Sequence, residues 1–261
     1  MGVVNNKDII GTVGRARISS KFYKCGSFDG MGESERFFKS PLFQRGIFAP
    51  PFCKGRWGGI IGIVFENSKR EEHVEKDIAK FLYEMGQLKR VKRSGWWIAG
   101  VKDPESVAEH SHRMAVIAYL LARLEGVDPG KAILMALFHD MPETRTNDAH
   151  RIVRRYANWE DVDRKAVDEQ SKRLPDEMAK QMVTLFEEFE KEVSPEAKVV
   201  RDADLLECIV QAREYQALGY NDVTDWIFNA KAALKTESAK KIAAECLKTE
   251  PKEWWQGLKA K

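Results

Sequence analysis

Apolar residues recur at the three- and four-residue spacing of amphipathic helices through most of this chain, and no convincing set of strands interrupts them. Ser106 and Glu109 form a capping box at the start of one such helix. Asp128 and Pro129 supply the N-cap and the first-turn proline of the next one. We therefore predict that residues 66–261 form one all-α helical bundle.

The composition is that of a globular protein. The chain has 261 residues, of which 43% are hydrophobic, and this is enough for a substantial core. Its best apolar run, residues 60–65, is far too short to cross a bilayer, and the N-terminus lacks the order of a signal peptide. The four cysteines show no CxxC spacing, which argues against a zinc ribbon or a disulfide framework. We expect a reducing, cytoplasmic location.

The N-terminal part of the chain differs from the rest. Residues 1–62 carry ten Lys and Arg against four Asp and Glu, and they hold eleven of the eighteen glycines. No helical or strand period is sustained there, so we expect an irregular, poorly ordered extension over residues 1–65. Two alternatives stay open: a basic arm that binds nucleic acid, and a translated non-native segment whose true start lies near Val64.

Two histidines and two aspartates stand where separate helices can bring them together. His139 and Asp140 follow the apolar helical run of residues 132–138, His110 lies in the first turn of an earlier helix, and Asp204 lies on a later one. This mixed nitrogen and oxygen donor set suits six-coordinate Mn²⁺, Co²⁺, Fe²⁺ or Ni²⁺ more than a closed tetrahedral zinc site. Water bound to such a metal becomes a nucleophile near neutral pH, so the pattern favours a hydrolase.

The order of these four residues resembles that of the HD-domain metal-dependent phosphohydrolases. Three blocks are similar to the 5′-deoxynucleotidase (YfbR-like) branch of that family: residues 86–96, residues 104–110, and residues 204–207 with 211–215. The similarity spans roughly 70% of the chain. It implies an HD-domain helical bundle that works as a cytoplasmic, homodimeric enzyme and removes the 5′-phosphate from deoxyribonucleoside monophosphates.

The resemblance also implies a divalent metal. Co²⁺ or Mn²⁺ is favoured, and Fe²⁺, Ni²⁺ or Mg²⁺ are alternatives. The positions that match the family's metal ligands are His110, His139, Asp140 and Asp204.

Two acidic residues follow the metal-ligand pair at short intervals. Glu143 matches the family's acid that handles protons at the reaction centre, and a carboxyl group there can act as general acid or base. Asp148 matches a residue that contacts the sugar, where its carboxylate can accept a hydrogen bond from a hydroxyl group.

The segment before His110 departs from the family pattern. Trp96 matches an aromatic residue that shapes the pocket and favours deoxyribose, but in the branch an arginine immediately precedes it. A two-residue insertion, residues 94–95, would make Arg93 the matching phosphate contact. Lys89 and Lys92 are the alternatives for that role.

Each of these assignments has a structural alternative. Glu143 can be a first-turn charge that stabilises a helix dipole, Asp148 an N-cap, Trp96 a residue that covers the bundle, and Arg93 part of a solvated basic face. For the whole protein, one alternative is another HD-domain phosphohydrolase that acts on nucleoside triphosphates or cyclic nucleotides. The other is a non-enzymatic module stabilised by its metal. We expect no membrane partner, and we do not favour nucleic acid as a partner.

Overall fold

The computed structural model describes residues 10–13, 16–19, 73–256 and 258. The chain divides into two compact units, Met1–His73 and Val74–Lys261. In the first unit, strands β1 (Ile10–Val13) and β2 (Ala16–Ser19) form an antiparallel hairpin.

The hairpin differs from the irregular chain that we expected at these positions. Each strand has four residues, which is too short a run for a period of two to stand out in the sequence. The remainder of the predicted extension, including the start expected near Val64, lies outside the described residues.

The second unit is helical in its described part. Its helices are α1 (73–85), α2 (Gly95–Ile98), α3 (Val107–Glu125), α4 (Pro129–Phe138), α5 (Glu143–Thr146), α6 (Trp159–Ser171), α7 (Asp176–Lys191), α8 (Pro195–Ala217), α9 (Thr224–Ala233), α10 (Glu237–Cys246) and α11 (Glu253–Gln256). Short 3₁₀ turns lie at Gly86–Lys89, Val153–Arg155 and Asn221–Val223. The prediction of an all-α bundle is confirmed for these residues.

Helix α8 lies at the centre of the bundle and packs against α3, α4, α7, α9 and α10. Buried residues occur on all sides of α8, which is typical of an interior helix. Ser194 is the N-cap of α8, and its hydroxyl accepts the Ala197 N–H. Pro195 takes the first helical position. The largest core cluster joins α8 to its neighbours, and its bulky members include Met114, Leu121, Met135, Phe189 and Leu206.

The helix starts read from the sequence are confirmed. The Ser106 hydroxyl accepts the Glu109 N–H at 3.2 Å, and the Glu109 carboxylate accepts the Ser106 N–H at 2.6 Å. Asp128 caps α4 by accepting the N–H of Gly130 at 2.8 Å. These caps fix where α3 and α4 begin, and therefore where His110 stands in the first turn of α3.

Two segments that show no sustained apolar period contain short helices. The stretch from residue 90 to 104 includes α2, and the polar stretch from residue 143 to 158 includes α5 and a 3₁₀ turn. Both helices have four residues, which is below the length that an apolar period reveals. Among the described residues, no helix has the length and apolar character needed to span a bilayer.

Candidate metal centre and active site

The two predicted histidine ligands meet inside the bundle. His110 projects from the first turn of α3, and His139 stands at the C-terminal cap of α4. Both are buried, at 0% and 5% exposure, and their Nε2 atoms lie 3.4 Å apart. The packing of α3 on α4 brings together residues that are 29 positions apart in the chain.

The two aspartates complete the cluster. Asp140 Oδ2 lies 3.0 Å from His139 Nε2 and 3.7 Å from His110 Nε2, and Asp204 Oδ1 from α8 lies 3.4 Å from His110 Nε2. Two donor atoms bound at right angles to one metal at about 2.1 Å would be about 3 Å apart, close to these separations. His110, His139 and Asp140 therefore bring three donor atoms within 4.8 Å of one another, and Asp204 approaches His110 from α8.

The hydrogen bonds behind the histidines indicate what this point can hold. His110 Nδ1 lies 2.7 Å from a Glu207 carboxylate oxygen, and His139 Nδ1 lies 2.9 Å from the Ala136 carbonyl oxygen. An Nδ1 that faces an acceptor carries the proton, so each Nε2 presents a lone pair to the other. Asp140 Oδ2 is buried beside them without a hydrogen-bond donor. The two Nε2 lone pairs and the Asp140 Oδ2 atom repel one another. A divalent cation fits this arrangement, because it would offset that repulsion and accept all three atoms as ligands.

Arg93 lies beside the same group of side chains, and its role as phosphate contact stays a prediction. Its guanidinium lies 3.5 Å from Asp140, 3.9 Å from Asp204 and 4.0 Å from Asp148. The Arg93 side chain keeps 19% of its surface exposed. The backbone on either side is tied to the start of α3, since Arg93 N donates to the Glu105 carbonyl oxygen at 3.0 Å.

Asp148 holds the Arg93 segment in place. Its carboxylate accepts hydrogen bonds from the Ser94 N–H and the Ser94 hydroxyl, the latter at 2.8 Å. The residue before it, Asn147, has a φ of 60° and ends α5. Few residues other than glycine adopt a positive φ, and asparagine is among the more tolerant. This turn reverses the chain so that Asp148 points back toward Arg93.

Glu143 lies in the first position of α5 and is 3% exposed. Its Oε2 atom is buried without a hydrogen-bond partner. Burial raises the pKa of Glu143 well above its usual value, and the charges of Asp140 and Asp148 raise it further, against the opposing effect of Arg93. A carboxyl group in this state can hold a proton and give it up to a neighbouring atom.

Comparison with known proteins agrees with this geometry. Residues 85–246 match the family described as HD domain, which is more than half of the chain. This chain belongs to the HD-domain family. The match includes each residue that we predicted for the site.

The relatives of this HD-domain protein include enzymes with assigned names. The 5′-deoxynucleotidase HDDC2 of Bos taurus is 37% identical over 146 residues, which cover 55% of this chain and 70% of the relative. HDDC2 of Mus musculus is 38% identical over 144 residues, covering 54% and 71%. A conserved hypothetical protein from Pyrococcus furiosus has a similar structure, with a TM-score of 0.57 and 33% identity over 66% of this chain and 99% of its own.

Trp96 is a core residue of the HD domain. Its side chain is 2% exposed, and its ring packs against Tyr215 and Trp226 at centroid distances of 5.2 and 5.8 Å. The indole N–H donates to Glu105 at 3.1 Å. These contacts anchor the backbone that carries Arg93. The contact between Trp96 and a sugar stays a prediction.

The sequence reasoning missed a buried ionic network behind His110. Glu207 is 0% exposed, and Arg113 pairs with it. Burial alone would raise the pKa of Glu207, but the hydrogen bond from His110 and the positive charge of Arg113 hold it below its usual range. The signal was available: Arg113 follows His110 by three positions, and Glu207 follows Asp204 by three, so each lies on the same helix face as a predicted ligand.

Proposed function

We propose that this HD-domain protein is a metal-dependent 5′-nucleotidase that hydrolyses deoxyribonucleoside 5′-monophosphates to the deoxyribonucleoside and phosphate. One observation carries the proposal: two imidazoles and the Asp140 carboxylate bring three donor atoms together, with Asp204 and the Arg93 guanidinium beside them. The names of relatives that are 35–38% identical support the same substrate class.

We assign the metal to His110, His139, Asp140 and Asp204. When bound, a divalent metal lowers the pKa of water and polarises a phosphoryl oxygen. The nitrogen and oxygen donors favour Co²⁺ or Mn²⁺, with Fe²⁺, Ni²⁺ or Mg²⁺ as alternatives. Open coordination positions are needed for this chemistry, and the partial exposure of Asp140 and Asp204, at 16% and 22%, supports an approach from that side.

The remaining residues act on the substrate itself. Arg93 offers paired N–H donors to the phosphate and offsets its charge. Glu143 takes the proton from the attacking water or delivers one to the 5′-oxygen as the P–O bond breaks. Asp148 accepts a hydrogen bond from a sugar hydroxyl, and Trp96 shapes the wall that favours deoxyribose. The raised pKa of Glu143 favours its protonated form and so supports the donor role.

A homodimer and a cytoplasmic location are part of the same proposal, and both rest on the family resemblance. In the described residues, Cys208 and Cys246 are free thiols, which is typical of a reducing compartment.

Phosphate release from dAMP, dCMP, dGMP, dTMP and AMP tests the proposal. The full-length protein is stripped with a chelator and reloaded with Co²⁺, Mn²⁺ or Mg²⁺. We expect phosphate from the deoxyribonucleotides, more slowly from AMP, and none from the stripped protein. Release of pyrophosphate or tripolyphosphate from a triphosphate, without action on any monophosphate, would instead indicate another HD-domain phosphohydrolase.

A further inference from the structure

Glu207 is a fully buried carboxylate on the far side of His110 from the proposed metal. Its Oε2 atom lies 2.7 Å from His110 Nδ1. Its Oε1 atom accepts from Arg113 Nε at 2.9 Å and lies 2.7 Å from Arg113 Nη2. Since a buried charge is costly unless it is paired, these contacts on both oxygens keep Glu207 ionised at this position.

An ionised carboxylate only accepts hydrogen bonds, so it determines the tautomer of the imidazole that it contacts. His110 must donate its Nδ1–H to Glu207, and its Nε2 atom is left bare toward His139 and Asp204. Rotation of the ring by 180° would bring carbon atoms toward the carboxylate and lose the 2.7 Å contact. Glu207 thus selects both the tautomer and the orientation of His110.

The two histidines are supported unequally. His139 Nδ1 faces a neutral backbone carbonyl, that of Ala136, at 2.9 Å, whereas His110 Nδ1 faces a charged carboxylate. Both kinds of partner orient a ligating histidine, and a partner that withdraws the Nδ1 proton raises the basicity of the ligand. The charged partner makes His110 the stronger nitrogen donor of the pair.

Arg113 fixes Glu207 from behind. Its guanidinium also donates to Glu214 at 2.8 Å and to Gln211. Glu207, Gln211 and Glu214 follow one another at four- and three-residue intervals on α8, so they form one face that Arg113 of α3 spans. The packing of α3 against α8 therefore sets the position of Glu207 before any metal arrives.

We infer that Glu207, held by Arg113, is a positioning residue that presents His110 Nε2 to the metal. The inference rests on the proposed function, since it takes the four predicted ligands as the metal site.

Glu207→Gln in the full-length protein tests this role, with Mn²⁺ affinity measured by titration calorimetry. The amide keeps the size of the side chain but can turn its NH₂ group toward His110, so the tautomer is no longer fixed. We expect Mn²⁺ to bind about 10- to 100-fold more weakly, as for other residues that support a metal ligand. Glu214→Gln is the matched control: it contacts the same arginine, is 40% exposed, and should change the affinity by less than about twofold.

Equal Mn²⁺ affinity in Glu207→Gln and the parent protein would overturn the inference, as would an equal loss in Glu214→Gln. Circular dichroism verifies that both variants keep their helices. Should Glu207→Gln not fold, ¹⁵N chemical shifts of His110 in the metal-free parent protein decide the matter without any substitution. At a pH where the imidazole is neutral, we expect the Nδ1–H tautomer, and an Nε2–H tautomer would contradict the role. If the parent protein binds none of Mn²⁺, Co²⁺, Fe²⁺, Ni²⁺ and Mg²⁺, the proposed function fails, and the tautomer still tests Glu207.

Discussion

The two sides of the candidate metal centre are held in position in different ways. One side is the ligand cluster, defined as the four proposed metal ligands: His110, His139, Asp140 and Asp204. Its members lie on α3, on α8 and directly after α4, and the packing of long helices fixes their separation.

The other side is the Arg93 segment, defined as residues 91–96, which no long helix carries. Hydrogen bonds to distant parts of the chain hold it: Val107 N donates to the Val91 carbonyl oxygen at 2.9 Å, and Ser94 bonds to Asp148, 54 positions away. The ligand cluster is therefore rigid because its helices are rigid, whereas the Arg93 segment depends on a few individual contacts. Substitutions on the two sides should differ in both size and kind.

Asp140→Asn should have the largest effect, because it removes an anionic ligand from the rigid side. Loss of several kcal/mol of charge stabilisation corresponds to a fall of about 10³-fold or more in kcat/KM. Metal content by mass spectrometry should fall together with activity. Asp128→Asn, the same chemical change at the cap of α4, should keep both, since asparagine is an equally good N-cap. Retention of metal by Asp140→Asn would show that the Asp140 carboxylate is not needed to hold the metal.

Glu143→Gln should come next, because it removes a proton donor or acceptor but no ligand. We expect kcat to fall by about 10²-fold or more, with metal content unchanged. Glu196→Gln in the first turn of α8 is the control and should retain activity. Loss of metal in Glu143→Gln would show that this carboxylate belongs to the ligand cluster instead.

Arg93→Met should have a smaller effect, which appears mainly as a lower kcat/KM and not as a loss of metal. The loss of hydrogen bonds to a charged group, worth about 1.5–3 kcal/mol, corresponds to about a 10- to 100-fold fall in kcat/KM. Metal affinity should not weaken, because the lost charge repelled the cation. Arg90→Met, at an exposed arginine whose side chain bonds to Gln87 at 3.4 Å, is the control. Equal activity in both variants would remove Arg93 from the phosphate contact.

Ser94→Ala should have the smallest effect and is specific to the Arg93 segment. It deletes the hydroxyl bonds to Asp148 and keeps the backbone bond. The hydroxyl bonds to the Asp148 carboxylate and carbonyl are worth about 1–3 kcal/mol, but the Ser94 N–H still holds the carboxylate, so we expect KM to rise by about two- to tenfold with kcat nearly constant. Ser171→Ala removes a similar buried hydroxyl from the end of α6 and should leave KM unchanged.

The sequence predicted the ligand cluster more fully than the Arg93 segment, and the difference has a physical cause. Helical spacing and caps are local signals, so they located the helices that carry His110 and Asp204. The bond between Ser94 and Asp148 has no local signal, because it depends on how two irregular segments meet.

Local periodicity also has limits inside the helices. An apolar stripe on α1 predicts that both Phe81 and Leu82 face inward, but Phe81 is buried at 6% and Leu82 is 64% exposed. Adjacent positions lie about 100° apart on a helix, and a narrow interface buries only one of them. The apolar period shows approximately which face of a helix is buried. Packing against neighbouring helices decides which residues at the edge of that face are buried.

The turn at Asn147 has a consequence for attempts to transplant this centre into another scaffold. Its φ of 60° lies within five residues of Glu143, and Asp148, which follows it, lies 4.0 Å from Arg93. A β-branched residue at this position would be strained, whereas glycine would adopt the same backbone freely. A designer who copies the side chains but not the positive φ of Asn147 would send Asp148 away from Arg93.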